Sequence, residues 1–305
     1  MLKITKMLAV LLAVSAFAVS ATPAMGDGKW TGLGDGVNWS DMLNWKKADG
    51  VTWELADPTA GGQIYVETAG TSKVDIDMND PTKWATLPSD LRLGGAHTLV
   101  VQSGGTLSHD NYFHLNGTFR LDGGDYRGNS GWKSARAYGT IEFLGGTWNT
   151  GSNPAYYAGI WYPGNVHVIG LTAGYDFSPL SFRDMTPANA SFQFTLEAGE
   201  GVATITPGSV GAVNTDTIPL TVDGIKAYLG AGGSVGDTFD LIRCATEQDA
   251  MLQFQTGDVL EGGDLVGKVT ATKTAVTLEV LPEPATMILL AGGLPLLLRR
   301  RRRRR

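Results

Sequence analysis

The stretch Val101-Gln102-Ser103-Gly104-Gly105-Thr106-Leu107 recurs as Arg120-Leu121-Asp122-Gly123-Gly124-Asp125-Tyr126. It recurs again as Glu142-Phe143-Leu144-Gly145-Gly146-Thr147-Trp148. Each copy alternates apolar and polar residues, reaches a Gly-Gly pair, then places a polar residue before a large apolar one. Counted at the second glycine (105, 124 and 146), the copies lie 19 and 22 residues apart. Strand-built repeats of about 20 residues mark a β-solenoid. One coil cannot bury its own apolar face, so it stacks on the next, strand over strand, at about 4.8 Å. The Gly-Gly pair supplies the corner, because a Cβ there obstructs positive φ. A weaker copy, Leu91-Arg92-Leu93-Gly94-Gly95, precedes the three. The competing architecture is a β-sandwich with glycine-rich hairpins. The solenoid is preferred because hairpins alone would not keep one register across three copies.

Alternation also assigns faces. The inward set is Leu99, Val101, Phe113, Leu115, Phe119, Leu121, Ile141, Phe143, Val166 and Val168. His114 and His167 then point outward, which predicts exposed, unperturbed imidazoles. Glycine, at 41 of 305 residues, is about twice its average usage, while apolar content stays normal at 43%. That pairing argues against disorder and for a β-rich chain with many tight turns. No useful helix-period stretch occurs between the two terminal segments.

Around the repeats the texture changes. Residues 22–90 read as a tryptophan-rich N-terminal cap, with Trp30, Trp39 and Trp45 each preceded by or set among glycine and asparagine. All eight tryptophans fall between residues 30 and 161. Indoles are efficient lids for a first coil; stacking of some of them on sugar rings is the functional alternative. Residues 91–176 read as solenoid repeats. Beyond a loop over 177–189 with two prolines, residues 190–281 read as a C-terminal β cap or small sandwich rather than an independent enzyme. The fold class expected is therefore all-β, a glycine-rich, parallel β-helix-like solenoid with a C-terminal β region.

The two ends carry addresses. Lys3 and Lys6 precede the apolar run Met7–Val19, followed by the small residues Ser20-Ala21 and Pro23-Ala24. This is the layout of a secretory signal peptide, assigned to residues 1–21, with Ala21 preferred to Ala24 as the last residue removed. At the other end, Pro282-Glu283-Pro284 is followed by an apolar run over Ala285–Leu298 and seven arginines, 299–305. Fourteen residues make a helix of roughly 21 Å, short of a bilayer core of about 30 Å. Pro295 and Gly292-Gly293 weaken it further. The arginines hold the helix end on the cytoplasmic side. Such a segment suits a temporary handle better than a permanent anchor.

These residues resemble the PEP-CTERM sorting signal of Gram-negative bacteria, over residues 282–305. The resemblance implies recognition and cleavage by exosortase, an integral-membrane cysteine protease-transpeptidase, at the sorting motif Pro282, Glu283 and Pro284. It implies a precursor that passes the secretion translocon and is held transiently in the inner membrane. It also implies a mature protein at the cell surface or in an exopolysaccharide or biofilm matrix. The sortase signal differs, since Pro284 and Ala285 stand where that motif needs other residues. The spacing around Trp30, Asn38-Trp39 and Asn44-Trp45 resembles the opening of secreted bacterial proteins with autotransporter-like repeats. The stretch from Gly236 to Ile242 resembles their closing segment.

Without 1–21 and everything from Glu283 onward, the body carries 15 Lys and Arg against 29 Asp and Glu, a formal charge of −14. That disfavours nucleic acid and anionic lipid, and favours solubility and divalent cations. Cys244 is the one cysteine, so no internal disulfide forms. In the alternating stretch Phe239–Cys244 it reads as an inert thiol facing opposite Leu241 and Arg243. None of the histidines (97, 109, 114, 167) is near it in sequence. Asp75-x-Asp77-x-Asn79 resembles the start of an EF-hand loop but has Asp80 at position six and Thr86 at position twelve, where geometry requires Gly and Glu. Asp122 and Asp125 flank a Gly-Gly turn, where Asp is expected for its backbone-mimicking side chain; acid–base pairing is the alternative. No phosphate loop, nucleophile elbow, dinucleotide fingerprint or Cys/His metal spacing is present. The expectation is a non-enzymatic surface or matrix protein without catalytic, cofactor or metal residues. A carbohydrate-binding protein and a solenoid polysaccharide lyase or hydrolase are the alternatives.

Overall fold

Period-two alternation interrupted by glycine becomes a chain that passes back and forth between two sheets. The computed structural model describes residues 27–47, 62–128, 135–149, 160–161, 164–170, 181–185, 188, 190–206, 209–212, 217–244 and 254–282. The signal-peptide assignment (1–21), Glu283, Pro284, the apolar run 285–298 and the arginines lie outside these residues. In chain order come β1 (Gly28–Trp30), β2 (Trp45–Lys47), β3 (Ile64–Val66), β4 (Gly70–Val74), β5 (Leu91–Leu93), β6 (His97–Gln102) and β7 (Thr106–His109). There follow β8 (Phe113–Leu115), β9 (Thr118–Gly128), β10 (Ala135–Ala137), β11 (Thr140–Asn149), β12 (Ile160–Trp161), β13 (Gly164–Ile169) and β14 (Ser181–Met185). Then come β15 (Ala190–Thr195), β16 (Ser209–Ala212), β17 (Leu220–Asp223), a short helix α1 (Ile225–Gly230), and β18 (Thr238–Arg243), β19 (Gly257–Glu261), β20 (Asp264–Ala271) and β21 (Ala275–Val280).

The first sheet has the order β16-β14-β12-β10-β8-β5-β3-β1-β2, and the second β17-β15-β13-β11-β9-β6-β4. Neighbours within both are parallel except β1 and β2. Each coil thus contributes one strand to each sheet, which is a β-solenoid and not a sandwich. β9 and β11 bend at their Gly-Gly pairs, and their second halves form a third side with β7.

The inward residues make ladders along the solenoid axis. Leu99, Phe119, Ile141, Val166, Phe192 and Leu220 align coil over coil, as do Val101, Leu121, Phe143, Val168, Phe194 and Val222. All are buried, and so are all ten residues that alternation assigned to the interior. Each such side chain contributes about 1.5–3 kcal/mol by leaving water. On the third side Leu107, Tyr126 and Trp148 stack, the last two rings 4.1 Å apart between centroids.

Two glycine columns run through the corners. A Cβ on Gly124 would lie 2.9 Å from the carbonyl oxygen of Gly105, and one on Gly146 only 2.0 Å from that of Gly124. The corners at 105, 124 and 146 therefore form one column, as parallel coils require. The reason differs in part from the expected one. Positive φ falls on the first glycine of the first two pairs, Gly104 and Gly123. The second glycine is needed because the preceding coil's backbone passes where its Cβ would be. Gly94, Gly117 and Gly139 form the other column, with a Cβ on Gly139 only 2.0 Å from the Gly117 oxygen. Leu91–Gly95 thus belongs to that opposite corner. Its strand pairs with β8 in the first sheet, so it is not a fourth copy of the motif.

Coiling also extends beyond 91–176. β1, β3 and β4 already lie in the two sheets, and β13 to β17 continue them to Asp223. The residues read as a separate cap and as a C-terminal region therefore supply coils at both ends. The true lid at the start is the loop over 37–39, where Lys73 N–H donates to Val37 O (2.8 Å) and Trp39 N–H to Lys73 O (2.9 Å), closing the edge of β4. Under it Trp30, Trp39, Trp45 and Trp84 pack edge-on or stacked with centroids 5.0–6.1 Å apart. The far end meets the antiparallel sheet β18-β21-β20-β19. Phe192 packs edge-to-face on Phe254 at 5.2 Å, and bridges join Ile205 to Ile242 and Ile218 to Phe254. Both covered edges remove templates for further strand addition. Helix α1 was not foreseen; six residues are too few for a periodic signal, and Glu261 accepts from its Ile225 and Lys226 N–H groups.

Candidate functional site

Because Ile141, Val166 and Phe192 face inward, their neighbours on β11, β13 and β15 face out and align in register. Thr140, Asn165 and Ser191 form one row, and Glu142, His167 and Gln193 the next, with Arg120 beside Glu142. Cross-coil bonds fix these side chains. Arg120 Nε donates to Glu142 Oε2 at 2.6 Å, Ser191 Oγ to Asn165 Oδ1 at 3.1 Å, and Gln193 Nε2 to Asp223 Oδ2 at 2.9 Å. His167 Nε2 lies 2.8 Å from Thr195 Oγ1. Its ring is half-buried, and burial pulls its pKa below the usual imidazole value against the opposing pull of Asp223 and Glu142. The expectation of an exposed, unperturbed imidazole is therefore corrected. Side chains from the adjoining coils, Thr195 among them, cover part of the His167 ring. His114 is also half-buried, its ring 5.8 Å from Tyr112.

At one margin of this face is an open groove of about 350 Å³, floored by Thr140, Asn165 and Ser191 and edged by Tyr138. Tyr138 is 61% exposed. The carboxylates of the adjoining row, Glu142 and Asp223, are engaged by Arg120 and Gln193.

The other sequence candidates are dispersed. Asp75 accepts from Ser40 N–H, Asp77 from Asn79 N–H, and Asp80 from Thr82. Asp77 and Asp80 close local turns while Asp75 ties Ser40 to the coil, and among the described residues no group of three or more His, Cys, Asp or Glu could hold a metal. Asp125 pairs with Arg127 at 3.0 Å, while Asp122 lies on the solvent side of the Gly-Gly corner. Cys244 is buried, and burial pushes its thiol up to about 11. It faces opposite Arg243 as expected, but Leu241 and Ile242 are both buried because the pairing slips between Asp240 and Ile242.

His97 and His109 are fully interior. The carbonyl of Thr68, 2.6 Å from His97 Nδ1, can only accept, so Nδ1 carries the proton. Nε2 then accepts from Ser72 Oγ (2.8 Å), which accepts from Trp39 Nε1 (3.1 Å). His109 Nε2 meets the buried Tyr126 hydroxyl at 2.6 Å, and burial raises that phenol's pKa. Of the tryptophans, Trp30, Trp39, Trp45, Trp84 and Trp148 are buried and pack in the core.

Reading the sequence for motifs missed the groove, whose residues come from three coils. The Arg120–Glu142 pair was accessible in principle. Both stand four residues before the second glycine of their copies, and opposite charges at one repeat position meet in stacked coils. Compared with protein-family models, with curated proteins and with solved structures, the chain matches none. Among the described residues no helix is long and apolar enough to cross a membrane.

Proposed function

We propose that this chain is an exported structural protein of the cell surface or extracellular matrix, sorted by exosortase through residues 282–305. The observation that carries it is the three-part segment of Pro282-Glu283-Pro284, a short apolar run and seven arginines, together with the signal-peptide layout over 1–21. The protein passes the translocon, is held briefly in the inner membrane, and acts without catalysis. A body whose two solenoid ends are covered by other parts of the chain and whose charge is −14 suits a soluble display element rather than a self-stacking fibre.

Intact-mass measurement of exported protein tests the sorting. The mature chain should lack everything beyond the Pro-Glu-Pro region. Replacing Pro282, Glu283 and Pro284 with alanine lets the helix extend upstream and should leave an uncut, membrane-retained precursor. Recovery of wild-type protein outside the cell with its arginines intact overturns the proposal.

Carbohydrate binding is the second reading, favoured by the groove beside Tyr138. A solenoid polysaccharide lyase or hydrolase would instead release unsaturated or reducing sugar ends.

A further inference from the structure

We infer that the groove on the second sheet is a binding site for a neutral saccharide chain, with Tyr138 as its ring platform and Thr140, Asn165 and Ser191 as its polar floor. The inference rests on the surface-and-matrix reading and gives that reading a ligand class. The floor is built from three successive coils, so two inter-strand steps of about 4.8 Å give it a length of about 10 Å. Glycine and alanine (Gly139, Gly164, Ala190) keep it low between the polar groups.

A saccharide presents apolar C–H faces and a rim of hydroxyls, and so needs an aromatic surface beside oriented donors and acceptors. Tyr138 offers the first at the groove's edge. The floor offers the second. Ser191 donates to Asn165 Oδ1, which fixes the amide and leaves its Nδ2 hydrogens for a ligand. Asn165 Nδ2 and Thr140 Oγ1 have no protein partner among the described residues. Side chains already held by neighbouring coils lose little freedom when a ligand arrives.

Charge selects against the acidic class. Among the described residues no charged side chain lines the groove, the nearest carboxylate on β11 is paired with Arg120, and the body carries −14. A uronic-acid chain is repelled, and nucleic acid more so. An apolar peptide finds amide and hydroxyl groups where it needs a hydrophobic pocket. The five described indoles, Trp30, Trp39, Trp45, Trp84 and Trp148, are buried in the core, and in this groove Tyr138 takes the platform role.

The full chain is presented to an array of neutral hexasaccharides (β-1,3- and β-1,4-glucan, α-1,4-glucan, β-1,4-mannan) alongside oligouronates. At least one neutral chain should be retained. Tyr138→Ala should weaken its Kd tenfold or more, about 1.4 kcal/mol, in protein whose far-UV circular dichroism matches that of the wild type. Asn165→Ala should weaken it at least threefold; if that variant fails to fold, Tyr138→Ala alone decides. Failure to retain any neutral chain, preference for oligouronates, or equal binding by the Tyr138→Ala variant overturns the site. A chain that binds yet keeps its arginines when exported overturns only the sorting. A chain that is cut yet binds nothing overturns only the groove.

Discussion

In the stacked coils, Gly139 stands where a neighbouring coil's backbone passes; in the antiparallel sheet of β18 to β21, Gly263 stands where the chain reverses. Gly139 has the Gly117 carbonyl 2.0 Å from its would-be Cβ, whereas Gly263 has nothing within 4 Å but a φ of +91°. The same residue answers a packing demand in one region and a conformational demand in the other. In the coils that demand couples each turn to the next, because the obstacle is another coil's main chain. In the antiparallel sheet it ends at the turn itself.

Replacing one glycine in each region separates the two demands. Gly139→Ala should cost about 4 kcal/mol or more, since the clash is with backbone that cannot rotate away. Chemical denaturation should show this as a lower midpoint, or as protein that does not fold. Gly263→Ala should cost only about 1–2 kcal/mol, the penalty of a left-handed backbone for a residue with a Cβ. Equal costs would remove the distinction.

A smaller effect is expected of mild acid, and it begins in the coils around His97. Burial holds His97 below the usual imidazole value, so the unfolded chain takes up the proton first. The site's contribution is therefore complete above about pH 6.5 and is lost as the pH falls below it. Protonation would make Nε2 a donor to Ser72, whose oxygen already accepts from Trp39, and the serine proton would lose its acceptor. Tryptophan fluorescence against pH should report loosening around Trp39 before the far-UV circular dichroism of the whole chain changes. His97→Gln should flatten that profile between pH 7 and 5; an unchanged profile contradicts the assignment.

The coils were legible where they were short. Leu99 and Phe119, stacked in register, are 20 residues apart, but Phe192 and Leu220 are 28 apart. Extra residues enter the corners without disturbing the ladders, so a fixed period sees only the tightest turns. That is why the sequence places the solenoid at 91–176, whereas its strands run from Gly28 to Asp223. Alternation identified interior residues well, because burial on one face is enforced at every step. It misjudged His167, whose surroundings come from four other coils, through Arg120, Glu142, Thr195 and Asp223. The groove was illegible for the same reason. Thr140, Asn165 and Ser191 share a row only once the stacking register is known, and nothing local marks them.

Parallel stacking underlies the glycine columns, the paired charges and the groove, and cross-linking tests it most directly. Register neighbours in stacked coils sit about 4.8 Å apart, within disulfide range. The native Cys244 is buried with a raised thiol pKa and does not compete. Cysteine pairs at Thr98 with Thr118, and at Thr118 with Thr140, join residues that lie opposite one another in the second sheet. Both pairs should oxidise to intramolecular disulfides in the folded protein, while a pair at Thr118 and Asn149 should not. Closure of the Thr118–Asn149 pair with failure of the other two would mean antiparallel hairpins, and would contradict the solenoid and everything built on it.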